Sequence, residues 1–157
     1  MDDTRLADFW AGARAIDPTL PEAVPDAWTF GATAEQADEL LGLVLDGTKT
    51  ATASALWDYE ATGDPLPTIG EVSIVLDGVD RPRAVIVTTA VDIVPFAEVT
   101  AEHAWAEGEG DRSLESWREV HERFWREHAE NAVGFHPDMP VVCEQFRVVY
   151  SATGAAS

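Results

Sequence analysis

The chain has 157 residues, 46% of them apolar and 25% charged, with ten Lys and Arg set against 29 Asp and Glu for a formal net charge of −19. That length accommodates one domain with an adequate core. The charge, with no basic run to offset it, excludes a duplex-binding face, because nonspecific binding needs clustered Lys and Arg to neutralise phosphates. Any nucleic-acid contact is therefore local, and a nucleotide-sized ligand suits it better than duplex DNA.

The single cysteine, Cys143, stands in an apolar run and reads as a small core residue in a reducing cytoplasm. The opening Met1-Asp2-Asp3 lacks the basic and apolar regions of a signal peptide. No apolar run approaches the roughly 20 residues of a membrane span. The expectation is a cytoplasmic protein with no membrane contact.

In chain order, Leu6, Phe9, Trp10 and Ala13 recur at helical spacing, predicting a helix over 4–16 capped by Asp3 or Thr4. A proline-punctuated connector, Pro18 to Pro25, follows and completes an N-terminal segment, 1–27, packed on the domain. Trp28-Thr29-Phe30 suggests a short strand. Thr33-Ala34-Glu35-Gln36 reads as a capping box opening a helix to about Leu45, with Ala37, Leu40, Leu41 and Val44 inward and Gly47 as its terminating glycine. Residues 48–56 are small and threonine-rich, which predicts an extended segment. Trp57-Asp58-Tyr59-Glu60 leads to a turn-rich Gly63-to-Pro67 stretch. Strands are predicted over 69–76 and 84–94, joined at Asp77-Gly78.

Beyond Pro95-Phe96, residues 100–107 predict a short helix, then an acidic glycine-containing loop, Glu107 to Asp111. Ser113 caps an amphipathic helix whose face carries Leu114, Trp117, Val120 or His121, Phe124 and His128. Residues 141–150 alternate as a last strand, and a small-residue tail, 151–157, is expected to be disordered. Grouped strands flanked by helices predict an α+β fold with a barrel-like sheet.

Several familiar chemistries do not fit. The stretch from Gly42 to Thr50 misses a phosphate-binding P-loop because Thr48 separates Gly47 from Lys49, and because a helix rather than a strand precedes it. His103, His121, His128 and His136 form no His-Glu-x-x-His zinc pairing, and the calcium-loop pattern is absent around Glu107, Glu109 and Asp111. No Gly-x-Ser-x-Gly elbow offers a serine nucleophile. Lys49 stands apart, since the other nine basic residues are arginine. Lysine presents a compact charge and can lose its proton when desolvated, which arginine does not. Such a lysine could activate a threonine hydroxyl or water, with a nearby glutamate carrying the proton to a leaving amine. An extended chain puts Thr48, Thr50 and Thr52 on one face and Lys49 on the other; a turn at Lys49 would let Lys49 and Thr52 converge.

The Gly47-x-Lys49-x-x-Thr52 signature resembles the ASCH domain, a relative of the PUA fold. So do Pro67 to Glu71 leading into Val72 to Leu76, Val94-Pro95-Phe96 with Val99, Ala106 to Asp111 with Ser113 to Arg118, and Val142 to Phe146. The ordered blocks span about 28–150 and are similar to a longer bacterial subgroup. The resemblance implies a PUA-like small β-barrel with flanking helices and a cleft for RNA or a modified nucleoside. It also implies hydrolysis of an acylated cytidine by a lysine, a threonine and a glutamate, or ribonuclease action. Carried over, these are Lys49, Thr52 and Glu107, with Glu109 the rival. Gly47, Thr48 and Thr50 would line the cleft, and Trp57 or Tyr59 would stack the base. No cofactor is implied unless a ribonuclease activity brings a divalent metal. The alternative is a non-catalytic RNA- or nucleotide-binding module. Nothing in the residues sets the oligomeric state.

Overall fold

A computed structural model describes residues 3–151. Helix α1, Asp3–Ile16, already includes Asp3, so its cap lies outside the described residues, as does the tail expected after Ser151. Trp10 and Ala13 are buried against Ile74, Leu76 and Val85, as the helical spacing requires. The connector folds back on this helix. Trp10 Nε1 donates to Pro21 O at 3.0 Å and Arg14 Nε to Leu20 O at 3.2 Å.

Strand β1 is only Ala27–Trp28, shorter than the sequence suggested, because the chain turns at Gly31 (φ +79) and sends Phe30 into the core. Helix α2, Ala34–Leu45, begins at Thr33, whose hydroxyl accepts from Gln36 N. Gln36 reaches back to Ala32 N rather than to Thr33 N. Ala37, Leu41 and Val44 are its buried stripe. Strand β2, Ala51–Ala55, runs straight into α3, Leu56–Thr62, a helix the sequence had not announced. It has no side-chain cap, so the usual start signal is missing.

Strands β3, Val72–Leu76, and β4, Pro82–Pro95, form a hairpin, and β5, Pro140–Ser151, pairs with β4 from Ala84 to Pro95. Helices α4, Ala101–Glu107, and α5, Leu114–His128, lie between β4 and β5 in the chain, each opened by a hydroxyl cap from Thr100 and Ser113. On α5 the buried residues are Trp117 and Trp125, while Val120 and His128 face outward, unlike the expected stripe. Trp125 is the residue that stripe omitted.

The five strands make one mixed sheet in the order β1-β3-β4-β5-β2, with β1 parallel to β3 and the rest antiparallel. The sheet is open, a correction to the closed small barrel: among the described residues β1 and β2 are edges and do not pair. The reason is local. β1 makes two residues of ladder before Gly31 ends it, too little strand to reach across. The two edges instead face a shared cavity, which Ala27 and Trp28 line from one side and Thr52, Ala53 and Ser54 from the other. The core is divided into three apolar clusters: one around Phe96, Trp117, Trp125 and Met139, one around Phe30, Leu41 and Phe146, and the α1 face.

Candidate functional site

The lysine segment is placed by the end of α2. Gly47 adopts φ +86, which an L side chain rarely tolerates. Gly47 N then donates to Val44 O at 3.2 Å and Thr48 N to Leu43 O at 3.0 Å, the paired bonds of a Schellman ending. Lys49 N also reaches Leu43 O, so the chain stays curled through Lys49, and regular pairing with β5 starts only at Ala51. Strict alternation therefore does not apply at Lys49. Lys49 and Thr52 line one cleft.

Helix α4 approaches the same point from the other side. It ends at Gly108 (φ +73), where a Cβ would sit 2.6 Å from Thr48 O. Only glycine permits that approach, and it lets Glu107 and Glu109 close around Lys49. The ammonium, 2% exposed as a residue, donates to Ala51 O at 2.9 Å and Glu109 Oε2 at 2.9 Å. It also lies 3.5 Å from Glu107 Oε1 and 5.4 Å from the centre of the Phe30 ring.

Glu107 is 1% exposed and engages donors at both oxygens. Oε2 accepts from His103 Nε2 and from Trp117 Nε1, each at 2.6 Å. Oε1 faces His121 Nε2 at 3.3 Å as well as Lys49. Burial opposes the charge on Glu107. The His103 hydrogen bond, the charge and hydrogen bond of His121 and the charge of Lys49 overcome it, and the carboxyl is held well below its ordinary 4.5. His121 is the counterpart: burial opposes its charge too, but Glu107, then Glu109 and the Trp117 carbonyl, lift it above 6.5. Its Nδ1–H donates to Trp117 O at 2.8 Å, and its ring stacks on Trp117 at 4.2 Å between centroids.

This cluster forms a wall of a cleft of about 230 Å³ that Phe30, Gln36, Glu39, Thr52, Ala53 and Phe124 also line. Phe30, Gly31, Thr52 and Ala53 are shared with a second cavity of about 560 Å³, whose walls include Trp28, Tyr59, Glu71 and Glu144. Of the residues singled out from the sequence, Lys49, Thr52, Glu107 and Glu109 meet at the first cleft, and Tyr59 lines the second. Thr48 lines neither; its carbonyl accepts from Arg112 Nη2 at 3.4 Å. Gly47 and Thr50 open on a groove beside Phe146 that Lys49 also lines. Trp57 is half-buried and packs against the Phe96–Trp117 cluster. Burial, with Glu107 and Asp92, pushes the Cys143 thiol up to about 12, which suits an inert packing residue. Among the described residues, no three His, Cys, Asp or Glu are placed to hold a metal.

The fold and cleft define an α+β domain with a buried lysine–glutamate site at the open seam of its sheet. Residues 26–150 match the ASCH domain family, to which the chain belongs. Protein EF3133 from Enterococcus faecalis V583 is 37% identical, with 99% of this chain and 94% of that one covered and a TM-score of 0.88. The ASCH domain from Lactobacillus crispatus JV V101 is 30% identical, with 96% of each chain covered and a TM-score of 0.83. Among curated proteins none matches.

Proposed function

We propose that this chain hydrolyses the acyl amide of a modified nucleoside in the cleft at Lys49. The observation that carries the reading is the convergence of Lys49, Thr52, Glu107 and Glu109 on one cleft from segments about 58 residues apart. The volumes of the two cavities, which share lining residues, bracket the lower part of the ~300–1,000 Å³ range of small-molecule sites. Glu39, Glu107 and Glu109 in the first, with Asp26, Asp64, Glu71 and Glu144 in the second, give walls that repel a phosphate chain and accept hydrogen bonds from amine donors. That favours a nucleoside over RNA as the ligand, and hydrolysis of an amide over ribonuclease action.

In this reading the Thr52 hydroxyl attacks the acyl carbon and the Lys49 ammonium faces the developing oxyanion. Fixed charge at that position acts most strongly where water is excluded. The donors of Lys49 are directed at Ala51 O, Glu109 and Glu107, so its role is charge rather than a free base. Glu107, held ionised by four donors, orients Lys49 and His121. Acyl-threonine then forms, the amine leaves, and water cleaves the ester to regenerate Thr52.

The test is incubation with acetylated cytidine and with single-stranded RNA, with and without magnesium, followed by mass spectrometry. Release of acetate and cytidine with RNA intact is expected. RNA that is bound or cut while every acylated nucleoside survives would replace this reading with a nucleic-acid one.

A further inference from the structure

The proposed reaction needs a group that takes a proton from the Thr52 hydroxyl and returns one to the leaving nitrogen, and neither glutamate at Lys49 is free to do so. Glu107 is spent on four donors, and Glu109 is tied to the ammonium at 2.9 Å. A third carboxylate stands on the other side of Thr52. In the β2–β5 ladder Thr52 is the direct partner of Glu144. Directly opposed residues on an antiparallel pair share a face, with Cβ atoms about 4.5–5.5 Å apart. Both line the second cavity, and Thr52 alone of the two also lines the first, so Thr52 is common to both.

We propose that Glu144 is a further catalytic residue of this site, exchanging the proton between Thr52 and the leaving nitrogen, and that the second cavity holds the amine half of the substrate. The inference rests on the hydrolase reading for its Thr52 nucleophile but not on its nucleoside substrate. As the Thr52 oxygen bonds to the acyl carbon, its proton passes to the Glu144 carboxylate. The carbon–nitrogen bond then breaks with its electron pair going to nitrogen, which takes that proton. Water attacks the resulting ester, gives its proton to the same carboxylate, and Thr52 recovers it on leaving.

The surroundings of Glu144 suit this exchange. Burial, with the Glu71 charge beside it, pushes the carboxyl up to about 7, and among the described residues no cation or hydrogen-bond donor offsets this. A carboxyl near neutrality can both accept and donate. The other titratable groups around it are Asp26, Asp64 and Tyr59. Tyr59 shares a 2.9 Å hydrogen bond with Ser54 Oγ, and burial raises it above 10, so the phenol keeps its proton. Asp26 and Asp64 lie on loops rather than opposite Thr52.

The experiment is acylation of the full chain by p-nitrophenyl acetate over pH 5–9, read by intact mass and peptide mapping, with Thr52→Val to identify the labelled residue. In the parent protein the Thr52 rate should rise through an inflection close to pH 7. Glu144→Gln should lower it by about 10²–10⁴-fold and abolish the inflection. Equal rates, an unchanged inflection, or a parent protein whose Thr52 is never acylated would overturn the proposal. Glu71→Gln keeps the carboxyl and removes the like charge, so its inflection should move to lower pH, and an unmoved one counts against Glu144 even if Glu144→Gln fails to fold. Acetylated cytidine is a separate arm. Thr52 that reacts with the ester while acetylated cytidine survives would end the nucleoside reading and leave the role of Glu144 standing.

Discussion

Among the described residues two carboxylates are almost wholly buried, Asp77 and Glu107, each 1% exposed, and they are stabilised in opposite ways. Asp77 sits in the β3–β4 turn and is satisfied by its own neighbours. Val79 N and Arg81 N donate to one oxygen at 3.0 Å, and Arg81 Nε and Arg83 Nη1 donate to the other. Burial opposes its charge, and these local bonds overcome it. Glu107 draws its donors from β2's approach, from α4 and from α5, beside a cavity. A buried charge that its own hairpin answers closes a turn. One that answers to three distant elements at a cavity wall fixes their relative positions and holds charged groups where a ligand can meet them.

That contrast can be broken by substitution. Glu107→Gln should be the most damaging, because it leaves His121 a buried cation without its counter-ion and Lys49 with Glu109 alone, at a cost of about 3–5 kcal/mol. Urea unfolding measures it, and a loss no larger than that of an exposed site would refute the central placement of Glu107. Lys49→Arg should reduce hydrolysis of acetylated cytidine by about 10²–10³-fold, since the longer guanidinium cannot occupy the ammonium's position. Parent-like turnover would end the catalytic role of Lys49. Asp77→Asn should cost about 1–3 kcal/mol in the same unfolding assay. It should leave turnover unchanged, and a loss of activity would erase the distinction between the two carboxylates.

The smallest effect is in pH. His121 is raised above 6.5, so the folded state holds its proton more tightly, and its contribution is complete below pH 6.5 and fades as pH rises through the folded value. Glu107 is lowered below 4.5, so its contribution is complete above pH 4.5 and fades on acidification. The stability difference between the parent and His121→Gln should therefore shrink at alkaline pH. A difference that is flat from pH 5 to 9 would separate His121 from Glu107.

Much of the local structure could be read along the chain. Thr33, Gly47 and Ser113 act as helix ends where their chemistry placed them, because a cap or a left-handed turn involves only residues a few positions apart. Lys49 was visible as the lone lysine for the same reason, since composition is local information. Trp125 and the uncapped α3 were missed, because their placement depends on which cluster the sheet brings against them. The closed barrel failed because strand pairing across the seam depends on how far β1 extends, and Gly31 stops it at two residues.

For the site, the sequence by itself determined a lysine emerging from a glycine-terminated helix, a threonine three residues on, and an acidic loop with a glycine between two glutamates. Only the tertiary structure decided how these meet. Gly108 against Thr48 sets Glu107 and Glu109 on Lys49, α5 brings His121 to Glu107, and the β2–β5 register sets Glu144 opposite Thr52. Those partners lie on different elements well apart in the chain, and no periodicity carries register or approach from one to the other. The burial that perturbs these groups, and so equips them for chemistry, exists only once the chain has closed around them.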